Sequence, residues 1–273
     1  METKCLFLDL DGTLLNDQKE VTPGNREAME RALQAGHHIV ITSGRPLKSA
    51  LIQAKRLKLD GPGCYVIAYN GASIYDCSSK REVFRQTMDP ADLYAVFDEA
   101  NRRGVYIQTY DREDVVVERH NDSAIARRYC SAINMDFRVI DDVRLDLSAP
   151  PVKALLIDFN GRTATEPMRQ WIVENLSGRV DTFFSSQFYL EVVPTGMNKG
   201  RALEELSRFL GIPIQNTLAA GDEANDLSMI RAAGTGIAMA NASEAVKAAA
   251  DAVTERDNNH DAIAEVLERF VFP

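Results

Sequence analysis

The sequence predicts an α/β protein: a parallel-sheet core interrupted by an inserted α+β domain. Three observations lead there. Strand and helix signals alternate over the first 75 residues, the pattern changes near residue 80, and the first pattern returns from Asn198. Alternation of strand and helix implies parallel pairing through right-handed crossovers. The expected division is 1–83 and 190–273 for a discontinuous core, with 84–189 as the insert.

Each element has its local reason. Cys5–Leu8 is a short apolar run and reads as a strand buried on both faces. Thr22 is placed to cap a helix with Pro23 at its first position and Gly36 just past its end. Ile39–Thr42 and the run "CYVIAYNGA" give the next two strands, ending at Ser43-Gly44 and Asn70-Gly71. "REVFRQTMD" leads out of the core. Asp89-Pro90 then opens a helix with Leu93, Val96, Phe97 and Ala100 on one face, stopped at Gly104. "VYIQTY" and "DVVVER", a helix from Ser123 to Ile133, "VKALLIDF", a helix near Glu166–Asn175, and the pair "VDTFFSS" and "FYLEVVP" follow. Strand pairs joined by short turns predict an antiparallel sheet with helices on one face. After Asn198, a helix carrying Ala202, Leu203, Leu206 and Leu210 precedes the strand "NTLAAGD", and strands and helices alternate to the end.

A net charge of −9 argues against a nucleic-acid binder, which would need a basic patch. It favours solubility, and it draws cations toward acidic clefts. The four cysteines form no C-x-x-C pair or zinc template, so reduced, structural thiols and a cytoplasmic setting are expected. The N-terminal residues lack the apolar core of a signal peptide, and no stretch is apolar enough to span a membrane.

In open parallel sheets, ligands bind beyond the carboxyl ends of the strands. Polar residues gather at those ends: Asp9-Leu10-Asp11-Gly12, Ser43-Gly44-Arg45, and Gly221-Asp222 followed by Asn225 and Asp226, with Lys199 opening the preceding helix. Taken singly, each has an ordinary structural explanation. Asp-Gly is common turn chemistry, and acids near Asp222 complement a helix dipole. A calcium loop starting at Asp9 is excluded, since its sixth position is Leu14 where glycine is required. Taken together they have another. Asp9, Asp11, Asp222 and Asp226 would repel one another in one pocket unless a divalent cation joined them. Ser43 and Gly44 could hold a phosphate, and Lys199 could supply a point charge. Positioning and charge of this kind are what phosphoryl transfer needs.

In this combination the sequence closely resembles the haloacid dehalogenase superfamily. The motifs "DLDGTLL" (9–15), "TSGRP" (42–46), "NKG" (198–200) and "GDEAND" (221–226) stand in order. The insert resembles a type-2 (IIB) cap, and "YNGA" resembles the Cof-type subgroup. The resemblance implies a Rossmann-like core, a mobile cap, and a magnesium-dependent phosphatase acting on small phosphorylated metabolites, often sugar phosphates. It implies Asp9 as nucleophile, Asp11 as general acid and then base, and magnesium on the Asp9 side chain, the Asp11 carbonyl and Asp222. Asp226 would support that shell. The Leu10 N–H, Ser43, Gly44, Lys199 and Asn225 would hold phosphate, with Arg45 and Asn70 near the cleft. The expected partner is a small phosphorylated molecule, with no nucleic acid and no membrane, and a monomer is compatible.

A phosphomutase or phosphotransferase could use the same aspartyl-phosphate and differs only in the acceptor. A phospho-accepting receiver would carry its aspartate after the third strand, whereas Asp9 follows the first. A dinucleotide-binding oxidoreductase lacks its G-x-G-x-x-G after strand one. Cap residues that choose the substrate are not marked in the sequence; Tyr189 and Glu191 stand near the return to the core as core, hinge or substrate contacts.

Overall fold

The computed structural model describes residues 2–111, 114–121 and 123–272. Two compact units emerge. The first comprises the residues up to Gly44, Ala50–Phe84 and the residues from Asn198 onward; the second comprises Arg45–Ser49 and Arg85–Met197. The chain begins with β1 (Cys5–Leu8), α1 (Pro23–Gln34), β2 (His38–Thr42), α2 (Leu47–Leu57) and β3 (Cys64–Ala68). Next comes a strand that the sequence did not announce, β4 (Ser73–Asp76), and then β5 (Arg81–Arg85).

The second unit contains α3 (Pro90–Arg103), β6 (Ile107–Asp111), β7 (Asp114–Glu118), α4 (Ser123–Ile133), β8 (Phe137–Ile140), α5 (Val143–Asp146), β9 (Ala154–Ile157), α6 (Thr165–Leu176), β10 (Val180–Phe184) and β11 (Tyr189–Pro194). Asp89 caps α3 by accepting the Ala91 N–H, and Gly104 ends it in the left-handed region at φ 67°. The six strands run in the order β10-β11-β9-β6-β7-β8. The sheet is mixed rather than antiparallel, because β7 and β8 pair in parallel across α4. Helices lie on both faces, not one. Ile107 packs with Leu93, Phe97, Met168 and Ile172 of α3 and α6. Tyr110 points the other way, as odd spacing along a strand requires, and its hydroxyl meets that of Tyr129 on α4 at 2.8 Å. The expected boundary at 189 also moves. β11 pairs with β9 and β10, so it stays in this sheet and the unit runs on to Met197.

The return to the first unit brings α7 (Lys199–Leu210), β12 (Thr217–Gly221), α8 (Leu227–Ala232), β13 (Thr235–Ala238), α9 (Glu244–Lys247), β14 (Ala252–Val253) and α10 (Ala262–Phe270). Its eight-stranded sheet has the order β14-β13-β12-β1-β2-β3-β4-β5, parallel from β14 to β3. Cys5 and Phe7 pack with Leu203, Leu206 and Met229, while the alternate residues Leu6 and Leu8 are also buried. Burial on both faces accounts for an unbroken apolar strand. Thr22 occupies the N-cap of α1, but its hydroxyl makes no capping bond. Asp261 caps the helix instead, its Oδ1 accepting the Asn25 N–H at 3.1 Å. Asn25 returns the favour to α10, its Oδ1 accepting the Ala264 N–H at 2.8 Å. Two helix starts thus satisfy each other's open N–H groups.

Candidate active site

β1 lies between β12 and β2, with Leu8 level with Ala220 on one side and Ile41 on the other. The first residue beyond β1 is therefore Asp9, and the first beyond β12 is Asp222. The chain turns at once after Asp9. Leu14 donates its N–H to the Asp9 carbonyl at 3.2 Å, and Leu15 donates to Leu10 at 2.8 Å. Gly12 makes the turn possible at φ +82°, and a Cβ there would come within 2.3 Å of Asp222 Oδ2. Thr13 Oγ1 donates to Asp222 Oδ1 at 2.8 Å.

Lys199, in the first turn of α7, is 1% exposed. Its Nζ donates to Asp9 Oδ1 at 2.5 Å and to Asp226 Oδ1 at 2.6 Å. Asp226 Oδ2 accepts the N–H groups of Asp222 and Glu223, so both of its oxygens are engaged within the protein. Asp9, Asp222 and Asp226 each offer an oxygen within 4.8 Å of the others. Burial raises Asp9 to about 7, opposed by Lys199 and reinforced by Asp226. Burial likewise raises Asp222 to about 6, against the pull of the Thr13 hydroxyl. For Lys199, burial disfavours the charge, yet Asp226 and Asp9 outweigh it and hold the ammonium above its usual pKa.

Ser43 and Gly44 follow β2 on the neighbouring side, and the Ser43 carbonyl accepts the Asn70 N–H at 3.1 Å. Asn70 is 3% exposed, has φ 54°, and neither atom of its amide has a hydrogen-bond partner among the described residues. A Cβ on Gly44 would meet that amide at 2.9 Å. Unpaired buried amides cost about 1–3 kcal/mol each, and strain of this kind gathers at functional sites.

The haloacid dehalogenase-like hydrolase model matches residues 6–267. The chain belongs to that family. This hydrolase is 28% identical to the 5-amino-6-(5-phospho-D-ribitylamino)uracil phosphatase YitU of Bacillus subtilis (strain 168), over 99% of each chain. It is 28% identical to the pyridoxal phosphate phosphatase YbhA of Escherichia coli (strain K12), over 98% of each. A solved haloacid dehalogenase-like hydrolase from Bacteroides thetaiotaomicron superposes with a TM-score of 0.88 at 33% identity, covering 98% of this chain and 99% of that one. The chain is accordingly a phosphatase of this family, of Cof type with a type-2 cap.

In this hydrolase three of the four expected acids converge; the Asp11 carboxylate does not join them. Alternation holds only inside a strand, and β1 ends at Leu8, so Asp11 follows the turn. Its side chain is 44% exposed, and Oδ1 accepts from Lys19 Nζ at 2.8 Å. Lys19 and Thr13 were not singled out in the sequence, since neither contact has a local signal. Leu10 is buried and Asn225 half-buried, both at the same end of the sheet; Arg45 is half-buried and groups with the second unit. Glu191 is buried in an ion pair with Lys153 at 2.7 Å, and Tyr189 sets its ring edgewise to Tyr129 and Phe159. A cleft of about 560 Å³ opens within the second unit, lined by Asn101, Tyr106, His120, Asn121, Asp158 and Phe159 among others. No lysine or arginine is among its described lining residues, and the nearby Arg128 guanidinium stacks on the Phe159 ring at 3.7 Å.

The donor set fits a divalent cation. Asp9 and Asp222 are hard oxygen donors in one buried cluster, and Lys199 offsets only part of its charge. A pH dependence follows. Both acids bind protons more tightly in the fold than in the unfolded chain, so cation-free stability falls as pH rises from about 4 through about 7. A cation requires the charged forms. The rise in melting temperature on adding magnesium is therefore expected to be small at pH 5 and several-fold larger at pH 8. Equal shifts at both pH values would contradict this.

Proposed function

We propose that this phosphatase is magnesium-dependent and hydrolyses small phosphorylated metabolites, sugar phosphates foremost, through an aspartyl-phosphate on Asp9. The observation that carries the reading is the buried Lys199 ammonium bridging Asp9 and Asp226 beside Asp222, at the carboxyl ends of parallel strands.

An Asp9 oxygen attacks phosphorus, and the bond to the leaving oxygen breaks. Asp11 gives that oxygen a proton. Water then attacks the phosphoryl group, Asp11 takes its proton, and the bond to Asp9 breaks to release phosphate. Lys199 holds Asp9 in position and offsets negative charge as it builds on the phosphoryl oxygens. Leu10 N–H, Ser43, Gly44 and Asn225 are the residues assigned to hold those oxygens, with Asn70 and Arg45 toward the rest of the substrate. Asp9, Asp222 and the Asp11 carbonyl, with Asp226 in support, would hold magnesium, which would supply charge neutralisation at the phosphate.

Full-length relatives named for a phosphoribityl compound and for pyridoxal phosphate support a small organic phosphate rather than a macromolecule. Four buried free cysteines are compatible with the reducing cytoplasm. No described helix is long and apolar enough to cross a membrane. The test is phosphate release from a panel of sugar phosphates, sugar-alcohol phosphates, nucleotides and pyridoxal phosphate, with magnesium and with excess chelator. Magnesium-dependent release, highest on a sugar or sugar-alcohol phosphate, is expected. Undiminished release in chelator would remove the metal, and transfer to a second sugar without free phosphate would make the enzyme a phosphotransferase.

A further inference from the structure

The segment between Asp11 and Val21 is tied down far more firmly than an exposed loop requires. Asn16 and Glu20 close a tight turn, Asn16 N–H donating to the Glu20 carbonyl at 2.9 Å and Glu20 N–H to Asn16 Oδ1 at 2.9 Å. Two residues near the end of the chain hold one side of it: Asn258 Nδ2 donates to the Leu15 carbonyl at 3.0 Å, and Asn259 Oδ1 accepts the Asp17 N–H at 3.0 Å. Arg56 on α2 holds the other side, donating to the Lys19 carbonyl at 2.9 Å.

At the tip sits Lys19 with φ 61°. This left-handed conformation is uncommon for a residue with a long side chain. It sends the chain back on itself, and the ammonium lands 2.8 Å from Asp11 Oδ1. Both side chains are exposed, 58% and 44%. Exposed ion pairs add little to stability, so stability does not account for so many anchors converging on one lysine. The partner does: it is the carboxylate to which the mechanism assigns both proton transfers.

We propose that Lys19 is a positioning residue for Asp11. This rests on the reading of Asp11 as proton carrier. The ammonium, fixed by the anchored turn, holds the Asp11 carboxylate in the rotamer that meets the leaving oxygen. Lys19 keeps its own proton throughout; the proton that moves passes from Asp11 to the leaving oxygen, and the next from water to Asp11. Geometry of this kind is decisive because a proton donor must sit within hydrogen-bond reach of the oxygen it serves.

The test compares leaving groups. An alkyl phosphate needs its oxygen protonated as it departs, whereas p-nitrophenolate is a stable anion and needs much less help. Leaving-group release is measured in a single turnover with glycerol phosphate and with p-nitrophenyl phosphate, for the native enzyme, Lys19→Met, Lys19→Arg and Asp11→Asn, with melting temperatures alongside. Lys19→Met is expected to lose about tenfold on the alkyl ester, part of the 10²–10⁴ typical of a positioned acid. Its loss on p-nitrophenyl phosphate is expected to be several times smaller, with KM little changed. Lys19→Arg should recover most of the deficit. Equal losses on both esters, or no loss on either, overturn the proposal. If Asp11→Asn shows no preference between the two esters, the proton-carrier reading itself fails; if it discriminates and Lys19→Met does not, only the role of Lys19 falls.

Discussion

Asp9→Asn is expected to lower phosphate release by about 10⁴-fold or more, the scale seen when a covalent nucleophile is removed. The fold should not suffer. Asp9 is 9% exposed and burial already pushes its carboxyl up to about 7, so at pH 8 the native residue carries a desolvated charge. An amide of the same shape carries none. Lys199 would keep its bond to Asp226. The melting temperature of the cation-free variant at pH 8 is therefore expected to equal or exceed that of the native enzyme. Phosphate release near the native rate would remove Asp9 from the nucleophile role, and a large fall in melting temperature would show that the carboxylate is needed to hold the site together.

Lys199→Met should have the opposite character. Its ammonium is the only described cation bonded to Asp9 and Asp226, and both partners are buried. Removing one member of a buried charge group leaves the others uncompensated, at about 3–5 kcal/mol. For a chain of this size that is roughly a 10 °C fall in melting temperature. Turnover should be lost as well, because Asp9 would no longer be held in place. Magnesium is expected to restore part of the stability and none of the turnover. Lys199→Arg keeps the charge, so it should fold, yet its planar fork does not reproduce a single point contact to two acids. A melting temperature for Lys199→Met within about 2 °C of native would contradict the assigned role.

The residues that read most clearly in the sequence are those fixed by the ends of regular elements. Asp9 and Asp222 each stand one residue beyond a buried parallel strand, and Lys199 stands in the first turn of a well-capped helix. There the polypeptide's own geometry does the placing. The Asp11 carboxylate stands apart from the other three acids because it follows the turn at the end of β1, where strand alternation no longer sets direction. Lys19 was invisible because its reach depends on a left-handed turn held by Arg56, Asn258 and Asn259, none of them close in sequence. The cap of α1 failed for the same reason: a threonine in the right position lost to Asp261, far along the chain. In the second unit, β8 escaped notice because its pattern is half-buried at one end, exposed in the middle and buried only at Ile140, as suits an edge strand.

The order in which this protein is made differs from the order in which its sheets can close. All six strands of the second unit lie between Ile107 and Pro194, so that sheet has every strand available once Pro194 has left the ribosome. β1 can pair with β2 early, but its other edge must wait for β12, since Cys5 also pairs with Thr217. Loop closure across such a separation is slow, and local contacts form first. The nascent chain can therefore close the six-stranded sheet while Leu6, Phe7 and Leu8 still lack their partner strand β12. That edge of β1 stays open in the interval, and destabilising substitutions in β12 should lengthen its exposure more than equal ones in β9.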